Sequence, residues 1–271
     1  KTMTAAYFAG LPDREAAIRQ LERIAAGNLH NTLRLLRHNK AHDIRLYRFS
    51  SKLIPLVGHA MLEGWNPIPT LVSEFAEIGD YVKANGMRVG FHPDHFTVLS
   101  TPREDVLAAS IEDLRRHVQM LEAMGLDASA KCNIHVGGTY GNKQAAGLRF
   151  IRHFQTLPEA IRRRITLEND DKTFTAAETL DICETVGVPM VLDIHHHEVN
   201  NAGETIAELW PRVLQTWTDY SGDPDLPPKI HASSPKDEKS PRSHADYIEP
   251  QGFLAVLRSL APMTPQLDVM L

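Results

Sequence analysis

ITLENDDKTFTAAETLDICETVGVPMVLDIHHHEVN, residues 165–200, is the stretch whose reading decides the fold. ITLEN (165–169) reads as a short strand. TAAETLDICETVG (175–187) has helical spacing and is closed by Gly187. PMVLDIH (189–195) reads as a strand again. Strands that alternate with helices of about 10–15 residues pair in parallel. Each strand also ends in chemistry: Glu168 lies near the end of the first, and Asp193 and His196 at the end of the second. A carboxylate among apolar strand residues, followed by three imidazoles, is metal-ligand composition.

The same rhythm extends in both directions. Upstream, residues 13–38 carry apolar positions at helical spacing. IRLYRF (44–49), MRVGFH (87–92) and CNIHV (132–136) read as strands. Residues 69–86, 102–125 and 143–155 read as helices between them. Downstream, 204–217 is a helix with an internal Pro211. KIHAS (229–233) is a strand, 250–261 a helix, and QLDVML (266–271) a final strand. Seven strands follow the pattern, with no linker, low-complexity run or composition shift. The reading is therefore one (β/α) barrel domain over 1–271, of the TIM (β/α)8 type, one strand short at the N-terminus. A doubly wound sheet is the main alternative, but GGTYGNK (137–143) is not its G-x-G-x-x-G turn.

Bulk properties narrow the function. The 271 residues are 42% hydrophobic and 23% charged, as in globular proteins. No apolar run approaches the ~20 residues of a membrane span, and no signal-peptide pattern opens the chain. Cys132 and Cys183 are far apart with no C-x-x-C pair, so both are expected to be buried small residues in a cytoplasmic protein. A net charge of −5 excludes a globally basic nucleic-acid binder; any DNA affinity must come from a local patch or from metal ions.

Histidine is abundant, 14 in all, and its placement is informative. His92, His135 and His231 lie at or near strand ends, as do Glu168, Asp193 and His196. His59 follows the first strand in a loop, and His244 follows KIHAS. In a parallel barrel the C-terminal strand ends share one face, where active sites are built. A lone histidine there is usually a hydrogen-bonded structural residue. Taken together, two inward carboxylates among imidazoles are costly without cations, and the mixed donor set suits zinc, manganese or iron. In an extended chain His195 and His197 would face the opposite way from His196, for packing or for support of ligands.

The motifs YRFSS (47–51) with His59, FHPDHFTVL (91–99), NIHVGGTYGNK (133–143), TLENDDKTF (166–174), VLDIHHHEVN (191–200), KIHASSPK (229–236) and RSHADYI (242–248) together resemble the bacterial UV damage endonucleases. The resemblance spans nearly the whole chain in the same order. It implies a TIM barrel related to endonuclease IV-type enzymes, and incision of double-stranded DNA immediately 5′ of cyclobutane dimers and 6-4 photoproducts. It implies up to three divalent ions, manganese first, with zinc, magnesium or cobalt as alternatives. The implied ligands are His59, His92, His135, Glu168, Asp193, His196, His231 and His244, with Glu168 bridging. Lys229 matches a lysine that family members can carry in carboxylated form. Glu168 and Lys229 are thus the expected catalytic pair.

The chain also departs from the family pattern. It opens after the family's first strand, and Leu271 stands just before the expected glutamate ligand of the last, so it reads as truncated at both ends. The glutamine and aromatic residue that probe the lesion are replaced by His95 and Phe96. Phe96 can wedge between bases, and His95 donates with a pH-dependent charge. Tyr140, Lys143, Lys236 and Arg242, with Lys52, Lys172 and Lys239, are candidate DNA contacts on the loops of the same face. The run Arg162, Arg163, Arg164 reads as solvated helix-end charge. The expected reaction is in-line attack by a metal-bound hydroxide, by a monomer. A metal-dependent sugar isomerase on a related barrel, and a fragment that binds metal or damaged DNA without cutting, are the competing readings.

Overall fold

The computed structural model describes residues 1–271. Seven strands run parallel in one sheet whose spatial order follows sequence order: β1 (Leu46–Phe49), β2 (Arg88–Phe91), β3 (Lys131–His135), β4 (Ile165–Glu168), β5 (Met190–Asp193), β6 (Lys229–His231) and β7 (Asp268–Met270). A helix lies between each consecutive pair. A doubly wound sheet reverses its strand order at a switch point. This order never reverses, so the fold is of the (β/α) barrel class. The residues cluster into two compact units, Lys1–Asp94 with Glu112–Cys132, and His95–Ile111 with Asn133–Leu271.

The first unit is built on the helix Arg14–Ala41. Asp13 caps it, accepting from the Glu15 and Ala16 amides at 2.9 and 3.2 Å. Leu21, Ala25, Leu29 and Leu36 recur at helical spacing and are fully buried. The helix Val72–Ala84 packs Phe75, Ile78 and Val82 into the same core. Gly79 on that helix is obligatory, because a Cβ there would lie 1.6 Å from the Met124 carbonyl oxygen.

The second unit contains β4–β7. Thr175 and Glu178 form a capping box that starts the helix Ala176–Val186, and Gly187 ends it in the left-handed region at φ 72°. A second box, Thr205 with Glu208, starts the helix Ile206–Tyr220. Pro211 lies inside that helix and cannot donate to the preceding turn. The helix continues because Leu209, Trp210, Val213 and Trp217 bury one face. Met190, at the start of β5, is pinned twice: its amide donates to the Thr216 hydroxyl at 3.0 Å, and its carbonyl accepts from the Trp217 indole at 2.6 Å.

Three features differ from the sequence reading. Strand β5 stops at Asp193, and Ile194–Val199 turns into a short helix instead of continuing extended. The cause is local, since the Asp193 carboxylate caps that helix by accepting from the His196 amide at 2.8 Å. The alternation expected for His195, His196 and His197 therefore does not apply. Arg164 is buried rather than solvated, while Arg162 and Arg163 are exposed as read. KIHAS contributes only three strand residues. Cys132 and Cys183 are buried free thiols, as expected.

Replacing Trp217 by Phe removes the indole donor and strips the buried Met190 carbonyl of that bond. We expect a loss of roughly 1–2 kcal/mol, read as a fall of about 2–6 °C in the thermal midpoint by circular dichroism.

Candidate metal centre

The strand registers of the second unit assemble the site. Glu168 pairs with Val191, Asp193 with His231, and Lys229 lies two residues before His231. Residues paired across parallel strands, or two apart along one, share a face. Glu168, Asp193, Lys229 and His231 therefore project from the same side of β4–β6. Glu168 and Asp193 are only 2% and 4% exposed.

The orientation of Glu168 is fixed from beneath. The Thr166 hydroxyl donates to Asn133 Oδ1 at 2.8 Å, which turns the Asn133 amide so that its Nδ2 donates to Glu168 Oε2. Glu168 Oε1 is left facing imidazoles, with His231 Nδ1 at 3.1 Å and His196 Nδ1 at 3.6 Å. Asp193 Oδ2 lies 3.7 Å from His196 Nδ1. Its backbone is clamped by Asn169, whose side chain accepts from the Asp193 amide at 2.9 Å and donates to the Asp193 carbonyl at 3.0 Å.

Ligand atoms of Glu168, Asp193 and His196 all lie within 4.8 Å of one another. His135 adjoins them, its ring centroid 5.8 Å from that of His196, and the His244 ring centroid is also 5.8 Å from His196. The second unit thus gathers His135, Glu168, Asp193, His196, His231 and His244.

Electrostatics favour a cation here. Burial and the neighbouring Glu168 carboxylate push Asp193 up from the ordinary carboxylate range, and His196 only partly offsets this. Burial and the adjacent His195 ring hold His244 below the usual imidazole range, in the neutral form that binds metals. Backbone carbonyls set the tautomers of two further rings: Asn169 O lies 2.9 Å from His196 Nδ1, and Glu168 O lies 3.3 Å from His135 Nδ1. A carbonyl only accepts, so those Nδ1 atoms carry the proton and Nε2 keeps its lone pair. Two buried acids among imidazoles match the donor set of a divalent ion.

In the first unit His92 follows β2, with Nδ1 3.1 Å from the Pro93 carbonyl. His59 is exposed at the edge of a cavity of about 680 Å³. Its Nδ1 accepts from the Met61 amide at 3.2 Å, capping a short helical turn. That bond makes Nε2 the protonated nitrogen, the opposite of His135 and His196.

The expected DNA contacts divide. Phe96 is 73% exposed, with the His95 ring 4.0 Å away. Tyr140 is exposed on a left-handed backbone at φ 50°, and the Arg149 guanidinium lies 5.6 Å from its ring. Lys236 and Arg242 are exposed on one loop, tied by a 2.7 Å bond from the Lys236 amide to the Ser243 carbonyl. Lys143 is instead paired with Glu178 at 2.6 Å.

Sequence reading missed Asn133, Asn169 and Ser233. Strand alternation from His135 was a usable signal for Asn133. Asn169 and Ser233 act on partners 24 and 38 residues away, which no local pattern marks.

The UV-endonuclease UvdE family model matches residues 1–271. A UV DNA damage endonuclease of Bacillus pumilus is 43% identical over 272 residues, covering 100% of this chain and 83% of the relative. The crystal structure of SacUVDE superposes with a TM-score of 0.86 at 30% identity, covering 100% of this chain and 86% of that one. D-psicose 3-epimerase from Clostridium cellulolyticum (TM-score 0.59, 13% identity, 88% and 78% of the two chains) and endonuclease IV from Thermus thermophilus (0.55, 15%, 90% and 86%) share the fold alone.

A raised carboxyl binds its proton more tightly folded than unfolded. The metal-free protein therefore loses stability as pH rises from the ordinary carboxylate range through the folded value of Asp193. Asp193→Asn keeps the cap oxygen and removes the charge. We expect it to raise the thermal midpoint of metal-free protein at pH 7–8, with the gain fading as pH falls through the raised Asp193 value and gone below the ordinary carboxylate range of ~4. The check is differential scanning calorimetry in chelator across that range.

Proposed function

The chain belongs to the UV-endonuclease UvdE family and is a DNA-repair endonuclease, and on that premise we propose that it hydrolyses the phosphodiester immediately 5′ of ultraviolet photoproducts in duplex DNA. The observation that carries the reading is the pair of buried carboxylates, Glu168 and Asp193, with a shared imidazole at His196. Their donor set fits divalent cations, manganese first. When bound, such ions acidify water and neutralise charge developing on the phosphate and the leaving O3′.

The chain's own residues supply the rest. Asn133, held by Thr166, keeps one Glu168 oxygen engaged and turns the other toward His196 and His231, where it would help hold an ion. Asn169 holds the Asp193 backbone, so the acid is positioned before a metal arrives. Preorganised ligands cost nothing to arrange during the reaction. Lys229 shares the face of His231 and is assigned to the reacting phosphate or, carboxylated, to the metals. His59 is kept as a ligand on the resemblance alone. No step needs a covalent enzyme intermediate.

Duplex DNA is held by loops, since the protein is mildly acidic overall. Lys236 and Arg242 provide sequence-independent phosphate contacts. Phe96, with His95 beside it, is the wedge that probes a weakened base stack, and its exposure supports that use. Tyr140 is assigned to the DNA backbone. Lys143 contributes only by leaving Glu178.

The test is nicking of a duplex carrying one cyclobutane dimer, with manganese, mapped at nucleotide resolution. A nick at the 5′ phosphodiester of the dimer is expected. Glu168→Ala should cut at least ~100-fold more slowly, beyond the loss typical of residues that merely support ligands, and should bind less manganese by elemental analysis. Phe96→Ala should weaken the preference for the lesion about 10–100-fold, in keeping with one lost stacking contact, while leaving metal content unchanged. Manganese-loaded protein that leaves the dimer duplex intact overturns the proposal.

A further inference from the structure

His244 is held differently from the imidazoles around it. His196 and His135 each face a backbone carbonyl through Nδ1, which fixes the proton there without ambiguity. His244 Nδ1 instead lies 2.7 Å from the Ser233 hydroxyl. A hydroxyl both donates and accepts, so Ser233 alone cannot decide which nitrogen of His244 is protonated. The decision passes one residue further. Ser233 Oγ is 2.9 Å from Nδ1 of His195, and His195 Nε2 is 2.7 Å from the Pro241 carbonyl. His195 is 0% exposed.

The hydrogen bonds can be followed from the end whose direction is certain. The Pro241 carbonyl only accepts, so His195 Nε2 carries a proton. A neutral His195 then offers its Nδ1 lone pair, and Ser233 donates its hydroxyl proton to it. The Ser233 oxygen is left to accept, and His244 Nδ1 is the donor. His244 Nε2 keeps its lone pair, the same state the carbonyls impose on His196 and His135.

The loop that carries His244 is built to hold this geometry. Pro235 and His244 form a backbone bridge, and the Ala245 amide donates to the Ser234 carbonyl at 2.8 Å. The His195 and His244 rings meet edge to face at 4.9 Å. Proposing on the metal-centre reading above, we infer that His195 and Ser233 are positioning residues which set the tautomer of His244 and so prepare its Nε2 for a divalent cation. The role also accounts for the full burial of His195 in the HHH run.

The experiment is two-bond proton–nitrogen correlation on the full chain labelled at histidine nitrogens and kept metal-free, with His244→Gln to assign the signal. Wild type should show Nδ1 protonated and Nε2 bare at His244. Ser233→Ala should shift His244 to mixed tautomers, and Ser233→Thr, which keeps the hydroxyl, should restore the wild-type pattern. With Mn2+ alone as probe, affinity should fall about 10–100-fold in Ser233→Ala and recover in Ser233→Thr. Nε2–H at His244 in wild type overturns the inference, and this needs no variant to fold. Unchanged tautomer and unchanged Mn2+ affinity in Ser233→Ala overturn it as well. A wild type that binds no Mn2+ refutes the metal-centre reading instead, while the metal-free spectra still decide the relay.

Discussion

Two carboxylates buried side by side organise this protein. Glu168 and Asp193 sit on neighbouring strands, almost wholly out of water, and each raises the cost of ionising the other. Such an arrangement is destabilising by itself. The surrounding structure holds it in place: Thr166 and Asn133 under one acid, Asn169 around the backbone of the other, and imidazoles facing both. The fold supplies rigidity where the site stores repulsion. A divalent ion held there would convert that repulsion into attraction, which is the basis of the proposed hydrolysis.

Much of this was legible in the sequence because it obeys short-range rules. The repeating strand–helix pattern forces parallel pairing, and the strand order follows the chain. The helix Ala176–Val186 is announced by its cap residues and closing glycine. His135, Glu168, Asp193 and His231 were findable because strand ends are recognisable and alternation tells which way they point. What escaped depends on partners distant in the chain. Alternation in NIHVGG puts Asn133 on the face of His135 without naming Glu168 as its partner, and nothing in HASS says that Ser233 will bridge two histidines. The turn at Asp193 was hidden differently. A run of three histidines has no strong helical preference, and one carboxylate–amide bond decided the outcome. Arg164 shows the limit of reading charge runs, since three adjacent arginines do not share one environment. The border between the two compact units is equally silent. It passes between Cys132 and Asn133, inside a strand, with no linker composition.

The histidines illustrate how one residue type takes several jobs. His196 and His135 are turned by carbonyls, His231 faces a carboxylate, and His195 is a buried relay. His59 accepts an amide hydrogen bond at Nδ1, the nitrogen through which His135 and His196 donate. Residue type predicts capacity, and the hydrogen-bond partner at the second ring nitrogen selects the use.

Asp193 ends a strand, begins a helix and belongs to the candidate metal-ligand group at the same time. Evolution or an engineer seeking to retune the ion cannot treat that position as an independent dial. Glutamate would keep the charge yet reach one methylene too far to close the helix start, so His196 would swing with it. Adaptation to a different ion is therefore channelled toward imidazoles that cap no helix, such as His135 and His231.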